Sequence, residues 1–141
     1  MKTALDSSIL LDVLSADPVF GTRSREALRI AYEAGALVAC DIVWAEVRAH
    51  FPNDQGFLDS MTTLGVQFEP VSREAATLAG SLWRNSRRGP RASHRRARVI
   101  ADFLIGGHAQ LQADGLLSRD RGFYRLYFRN LKVIDPAGPR T

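Results

Sequence analysis

At 141 residues, 45% apolar and 24% charged, the chain has the make-up of an ordinary globular protein and is read as one domain over 1–141. The lone Cys40 excludes an internal disulfide and a cysteine-based metal site, and no apolar stretch is long enough to span a bilayer. Asp6 interrupts the N-terminus before a signal-peptide apolar region can form, so a cytoplasmic protein without membrane contact is expected.

Thr3-Ala4-Leu5 reads as a short strand with Asp6 at its end. Ser7 or Ser8 is then placed to cap a helix whose apolar face is Ile9, Leu10, Val13 and Leu14. Asp17-Pro18 marks a turn, and a second helix runs from about Arg23 to Ala34, stopped by Gly35. Leu37 to Cys40 is an unbroken apolar strand of the kind covered on both faces in a parallel sheet. Asp41 is placed to cap a helix from Ile42 to about His50, ended by Pro52. Phe57, Leu58, Met61 and Leu64 mark the next helix, closed by Gly65. Val66 to Glu69 is a strand, and Ser72 caps a helix with Leu78, Ala79 and Leu82 on one face.

The stretch from Val99 to Asp120 organises the rest. Val99, Ile100, Phe103, Leu104 and Leu111 recur at helical spacing, with Ile105 and Ala109 widening the apolar surface, as in a helix buried in a core. Gly106 and Gly107 inside it point to a close neighbour, at about 1 kcal/mol each in helix propensity. Gly115 is expected to end the helix as a left-handed cap, before a strand over Leu116 to Ser118. Leu131 to Ile134 is the last strand, and 136–141 reads as a frayed tail. Five strands alternating with helices predict a three-layer α/β fold on a central parallel sheet.

Four carboxylates stand out by position. Asp6 and Asp120 each follow a strand, Asp102 interrupts the most apolar helical run, and Glu46 shares a helix face with Ile42, Val43 and Ala49. Sites in open parallel sheets form beyond the carboxyl ends of the strands, where neighbouring crossovers leave on opposite sides. If the first strand and the Leu116 strand meet there, Asp6 and Asp120 converge. Clustered carboxylates repel unless a cation is present, and all-oxygen ligands favour Mg2+ or Mn2+ over zinc. Taken singly, Asp6 is also explicable as an N-cap, Asp120 as a turn residue and Glu46 as a partner of His50. Asp102 fits no cap or turn role. Asp12, Asp54, Asp59, Glu74 and Asp114 read as solvated helix faces or termini.

These acids, together with I-A-D-F-L-I-G-G-H-A and L-L-S-R-D-R-G-F-Y, resemble the PIN-domain ribonucleases, specifically the VapC toxins of toxin–antitoxin pairs. The resemblance spans nearly the whole chain, from Leu5-Asp6-Ser7-Ser8 to Leu131-Lys132-Val133-Ile134. It implies a PIN-like fold with the first strand beside the fourth, and it places Asp6, Glu46, Asp102 and Asp120 on the family's acidic positions. Ser118 falls where that family carries Thr or Ser. The implied activity is endoribonuclease cleavage with one or two Mg2+ ions, or Mn2+ as substitute, held by Asp6, Asp102 and Asp120. Glu46 would hold or help deprotonate the attacking water, giving a 5′-phosphate product. The resemblance also implies a VapB-like antitoxin that lays its C-terminal segment in an apolar groove, and a homodimer.

One departure is the segment 84–98, which holds seven arginines and no acid, so the rest of a chain of net charge +4 carries −3. With Gly89-Pro90 at its centre it reads as a loop into the Asp102 helix. Arg87, Arg88 and Arg91 are candidate RNA contacts beside the alternative of a plain solvated surface.

His50, His94 and His108 lack zinc-site spacing, and His108 reads as packed or capping. Phe123 to Arg129 mixes aromatics with arginines, as single-strand RNA surfaces do, although such aromatics equally form core. A haloacid-dehalogenase-type phosphatase needs Asp where Ser8 stands. A receiver domain needs a lysine after its last strand, whereas Lys132 lies within it. The alternative that stays open is a non-catalytic RNA-binding module of PIN-like fold.

Overall fold

The computed structural model describes residues 1–88 and 100–138. Strands β1 (Thr3–Leu5), β2 (Leu37–Ala39), β3 (Val66–Phe68), β4 (Gly115–Leu117) and β5 (Val133–Ile134) pair in parallel in the order β3-β2-β1-β4-β5. Seven helices accompany them among the described residues: α1 (Ser7–Leu14), α2 (Gly21–Ala34), α3 (Asp41–Arg48), α4 (Asp54–Leu64), α5 (Arg73–Ser86), α6 (Ile100–Gln112) and α7 (Arg121–Tyr127). Connections from β1 to β2 to β3 step one way across the sheet, and those from β3 to β4 to β5 step the other. Right-handed crossovers therefore send α1–α4 and α5–α7 to opposite faces, the three-layer α/β arrangement expected. Leu37, Val38 and Ala39 are each at most 2% exposed, because β2 is covered on both sides.

Local signals account for most element ends. Gly65 closes α4 in the left-handed conformation, with φ of 74°. Ser72 caps α5 by accepting from the Ala75 amide at 3.1 Å. The two glycines inside α6 do admit close neighbours: Gly106 lies against the Phe128 ring and Gly107 against the Ala75 carbonyl of α5. His108 is packed, 1% exposed, with Nε2 2.9 Å from Glu69 Oε1, while Lys2 Nζ donates to the other oxygen of that carboxylate.

Several expectations are corrected. Gly115 is the first residue of β4, not a left-handed cap, because the chain enters the sheet directly after Ala113 and Asp114. Ser7 is already helical and Asp6 occupies the N-cap position of α1 without a capping bond from its side chain. Asp41 opens α3 rather than capping it, and its carboxylate accepts from the Val71 amide at 3.1 Å. Leu111 and Leu58 are surface residues, 50% and 44% exposed. Residues 121–127, taken only as an aromatic stretch, form α7. Phe123, Tyr124 and Phe128 are at most 6% exposed, and Phe123 packs edge-on to Phe103 at 5.1 Å. The last strand shortens to Val133–Ile134. Of the expected frayed tail, Ala137 and Gly138 are tied back to Asp135 by bonds of 2.9 Å each, and 139–141 lie outside the described residues.

Candidate active site

Leu5 pairs with Leu117, so β1 and β4 end side by side at the point where the sheet reverses direction. The residue after each strand is polar. The Asp6 amide donates to the Leu117 carbonyl and the Ser118 amide to the Ile134 carbonyl, both at 3.0 Å, which fixes the two chain exits. Ser118 is fully buried. Its hydroxyl donates to Asp6 Oδ2 at 2.6 Å and accepts from the Asp120 amide at 2.9 Å. One hydroxyl thus ties the loop of Asp6 to the loop of Asp120.

Asp6 is 8% exposed. Burial pushes its carboxyl above the usual range; the Ser118 hydroxyl and the Ser7 amide oppose that, and the charges of Asp102 and Asp120 push it further up. Glu46 is exposed at the surface, yet its carboxyl is also raised. Partial burial of the carboxyl head is the main cause, the Ser7 hydroxyl opposes it, and the charges of Asp6 and Asp102 add to it. Asp102 stands half-buried near the described start of α6, a helix whose residues Phe103 and Ile105 to Ala109 are buried. All four sequence-selected acids therefore act electrostatically on one region.

Tyr124 was not among the candidate site residues, only part of the aromatic stretch read as RNA surface or core. It is 1% exposed, and its phenol is raised well above the usual range by burial first, then by Asp6, Asp102, Asp120 and Glu46 together. A buried phenol on α7 thus feels the charge of all four acids. The signal available was its place four residues after Asp120, one helical turn on. Ser7, whose hydroxyl opposes the rise of Glu46, was not among the candidate site residues.

The arginine-rich segment is described in part. Arg87 and Arg88 are exposed beyond the end of α5, with the Arg87 guanidinium 4.9 Å from the Trp83 ring centroid. Arg91 lies outside the described residues.

In donor chemistry the acids suit a hard divalent cation: all are carboxylates, one is nearly buried, and their mutual repulsion is what a cation relieves. Among the described residues no three His, Cys, Asp or Glu side chains stand together as a preformed ligand group.

The PIN-domain family model matches residues 3–129, from β1 to beyond α7. The chain belongs to the PIN-domain family. No curated protein matches this PIN domain by sequence. Solved structures do match it in fold. One is VapBC2 from Rickettsia felis bound to a DNA fragment from their promoter, at 16% identity and a TM-score of 0.72, over 96% of this chain and 98% of the other. VapBC-1 from nontypeable Haemophilus influenzae matches at 19% identity and a TM-score of 0.68, over 97% and 99% of the two chains. VapC20 from Mycobacterium tuberculosis, a sarcin–ricin loop cleaving toxin, matches at 12% identity and a TM-score of 0.59, over 92% and 98%. No helix of the described PIN domain is long and apolar enough to cross a membrane.

Proposed function

We propose that this PIN domain is a divalent-cation-dependent endoribonuclease and the toxin of a VapBC-type pair, working in the cytoplasm. The observation that carries the reading is the Ser118 hydroxyl, which joins the Asp6 and Asp120 loops where Asp102 and Glu46 also act. The solved structures named VapBC and VapC20, a sarcin–ricin loop cleaving toxin, support the biological assignment.

In this reading Asp6, Asp102 and Asp120 hold Mg2+, with Mn2+ as substitute. Bound there, the ion supplies Lewis-acid activation of water and neutralises phosphate charge. Ser118 orients Asp6 by donating to Oδ2. Glu46, its carboxyl raised above the usual value by partial burial, takes a proton from the attacking water at a carboxylate oxygen. Arg87, Arg88 and Arg91 contact RNA phosphates, a VapB-like antitoxin blocks the site, and the protein works as a homodimer.

The test is RNA cleavage with Mg2+, with EDTA and in the Asp102→Asn variant. Expected are new 5′-phosphate ends with Mg2+ alone and none in the other two conditions. Full cleavage in EDTA or by Asp102→Asn rejects the metal-site reading. RNA binding without cleavage in any condition makes the protein a non-catalytic RNA-binding module. A separate measurement reads the arginines. Each phosphate contact on a single strand contributes about −0.7 to the slope of log K against log salt, so replacing Arg87, Arg88 and Arg91 by Gln is expected to flatten it by about two. An unchanged slope removes these arginines from the RNA interface.

A further inference from the structure

The sequence reading put Asp12 among solvated acids, and the structure reverses this. Asp12, on α1, is 4% exposed. Its Oδ2 accepts from Arg119 Nε at 2.7 Å and from the Ser24 hydroxyl at 2.8 Å, and its Oδ1 accepts from Arg119 Nη2 at 3.0 Å. The guanidinium lies over the Phe20 ring, 3.9 Å from its centroid. The turn carrying Phe20 is itself fixed, since Asp17 Oδ1 accepts from the Val19 and Phe20 amides at 2.9 and 2.8 Å. A two-pronged, stacked guanidinium is thus locked to the α1–α2 hairpin in one orientation.

Arg119 is the residue between Ser118 and Asp120. The loop from β4 to α7 is consequently anchored on two sides: Ser118 ties it to Asp6 in the sheet, and Arg119 ties it to the hairpin. In this half-buried pair, with Asp12 enclosed and Arg119 32% exposed, desolvation offsets much of the attraction, so stability alone is a weak reason for it. Orientation is a better one, since the side chain of Asp120 depends on where its backbone is held.

We propose that Arg119 is a positioning residue, which through its paired hydrogen bonds to Asp12 and its stacking on Phe20 holds the Asp120 carboxylate towards Asp6. The proposal rests on the nuclease reading for its consequence and on the geometry alone for its structural part.

The double variant Asp12→Asn/Arg119→Gln removes both charges together and leaves no buried ion unpaired, so the fold is retained. Hydrogen exchange by NMR reads the Asp120 amide, which donates to Ser118, against the Asp6 and Ser118 amides, which donate into the sheet. The Asp120 amide is expected to exchange at least about tenfold faster with the sheet amides unchanged. Mn2+ affinity is expected to fall about ten- to a hundredfold, as when the outer partners of metal ligands are lost. In cleavage, kcat is expected to fall with KM unchanged. Arg119→Lys, which keeps the charge but not the fork, is expected to recover little. Unchanged Asp120 exchange overturns the proposal, and so does equal acceleration at all three amides, which marks a general structural tie. The wild-type protein separates the two readings: no RNA cleavage by it with Mg2+ or Mn2+ overturns the nuclease assignment and leaves the exchange result standing, whereas wild-type cleavage by Asp120→Asn overturns the proposed consequence for Asp120.

Discussion

Asp6→Asn is expected to lower RNA cleavage by at least about a hundredfold while the protein, kept in EDTA, melts at a higher temperature than the wild type. Losing a metal-holding carboxylate removes several kcal/mol of transition-state stabilisation, and each 1.36 kcal/mol is a factor of about ten. Stability moves the other way because Asp6 is held in an environment that disfavours its charge. Its carboxyl is raised by burial and by the charges of Asp102 and Asp120, beyond what the Ser118 and Ser7 donors offset. An acid with a raised native pKa binds its proton more tightly folded than unfolded. Wild-type stability is therefore lost as pH rises from about the unfolded value of 3.8 through the raised native value, and stays lost above it. Asparagine carries no such penalty, still accepts from Ser118, and suits the N-cap position of α1. The stability difference between variant and wild type is thus largest at neutral pH and shrinks as pH falls towards 3.8. Thermal melts across that range with matched cleavage assays check both halves. A variant less stable than wild type at pH 7 contradicts the burial argument, and a variant that still cleaves contradicts the site.

Two helical glycines are expected to respond to alanine with opposite signs. In Gly107→Ala the new Cβ falls 2.7 Å from the Ala75 carbonyl oxygen and 3.6 Å from Ala79 Cβ, both on α5. A backbone oxygen in a helix cannot swing aside, so α6 must move off α5. Overpacking of this kind costs about 1–3 kcal/mol, against about 1 kcal/mol gained in helix propensity, and the net is destabilising. Because α6 carries Asp102, some loss of cleavage is expected with it. In Gly80→Ala, on α5, the new Cβ meets nothing within 4 Å, so the propensity gain of about 1 kcal/mol stands alone and the variant is expected to be stabilised. Urea unfolding of the two proteins checks the pair. A stabilised Gly107→Ala would mean that α5 and α6 pack less closely than the structure has them.

What the sequence by itself determined was local. Short strand-like segments bounded by an acid, glycine or proline located β1, β2, β3 and β4 to within a residue, although of these only β2 is an unbroken apolar run. Asp6 and Asp120 emerged as strand-end acids because that adjacency is written in consecutive residues. Glycines at positions 65, 106 and 107 announced a helix end and a close packing for the same reason: each acts on its own backbone. The tertiary structure alone decided what depends on residues far apart in the chain. Ser118 meets Asp6 across 112 positions and Arg119 meets Asp12 across 107, so neither bond has a local trace. Asp12 looked like a solvated helix residue because its neighbours in sequence are unremarkable and its partner comes from another loop. Helix α7 was missed because it is only seven residues long, lacks a side-chain cap and is dense in aromatics, so its helical pattern is weak beside its tertiary packing. The burial of Tyr124, within electrostatic reach of four carboxylates, was decided in the same way. Hydrophobic periodicity and turn chemistry are properties of a window of chain, whereas the pairing of a buried charge is a property of the assembled fold.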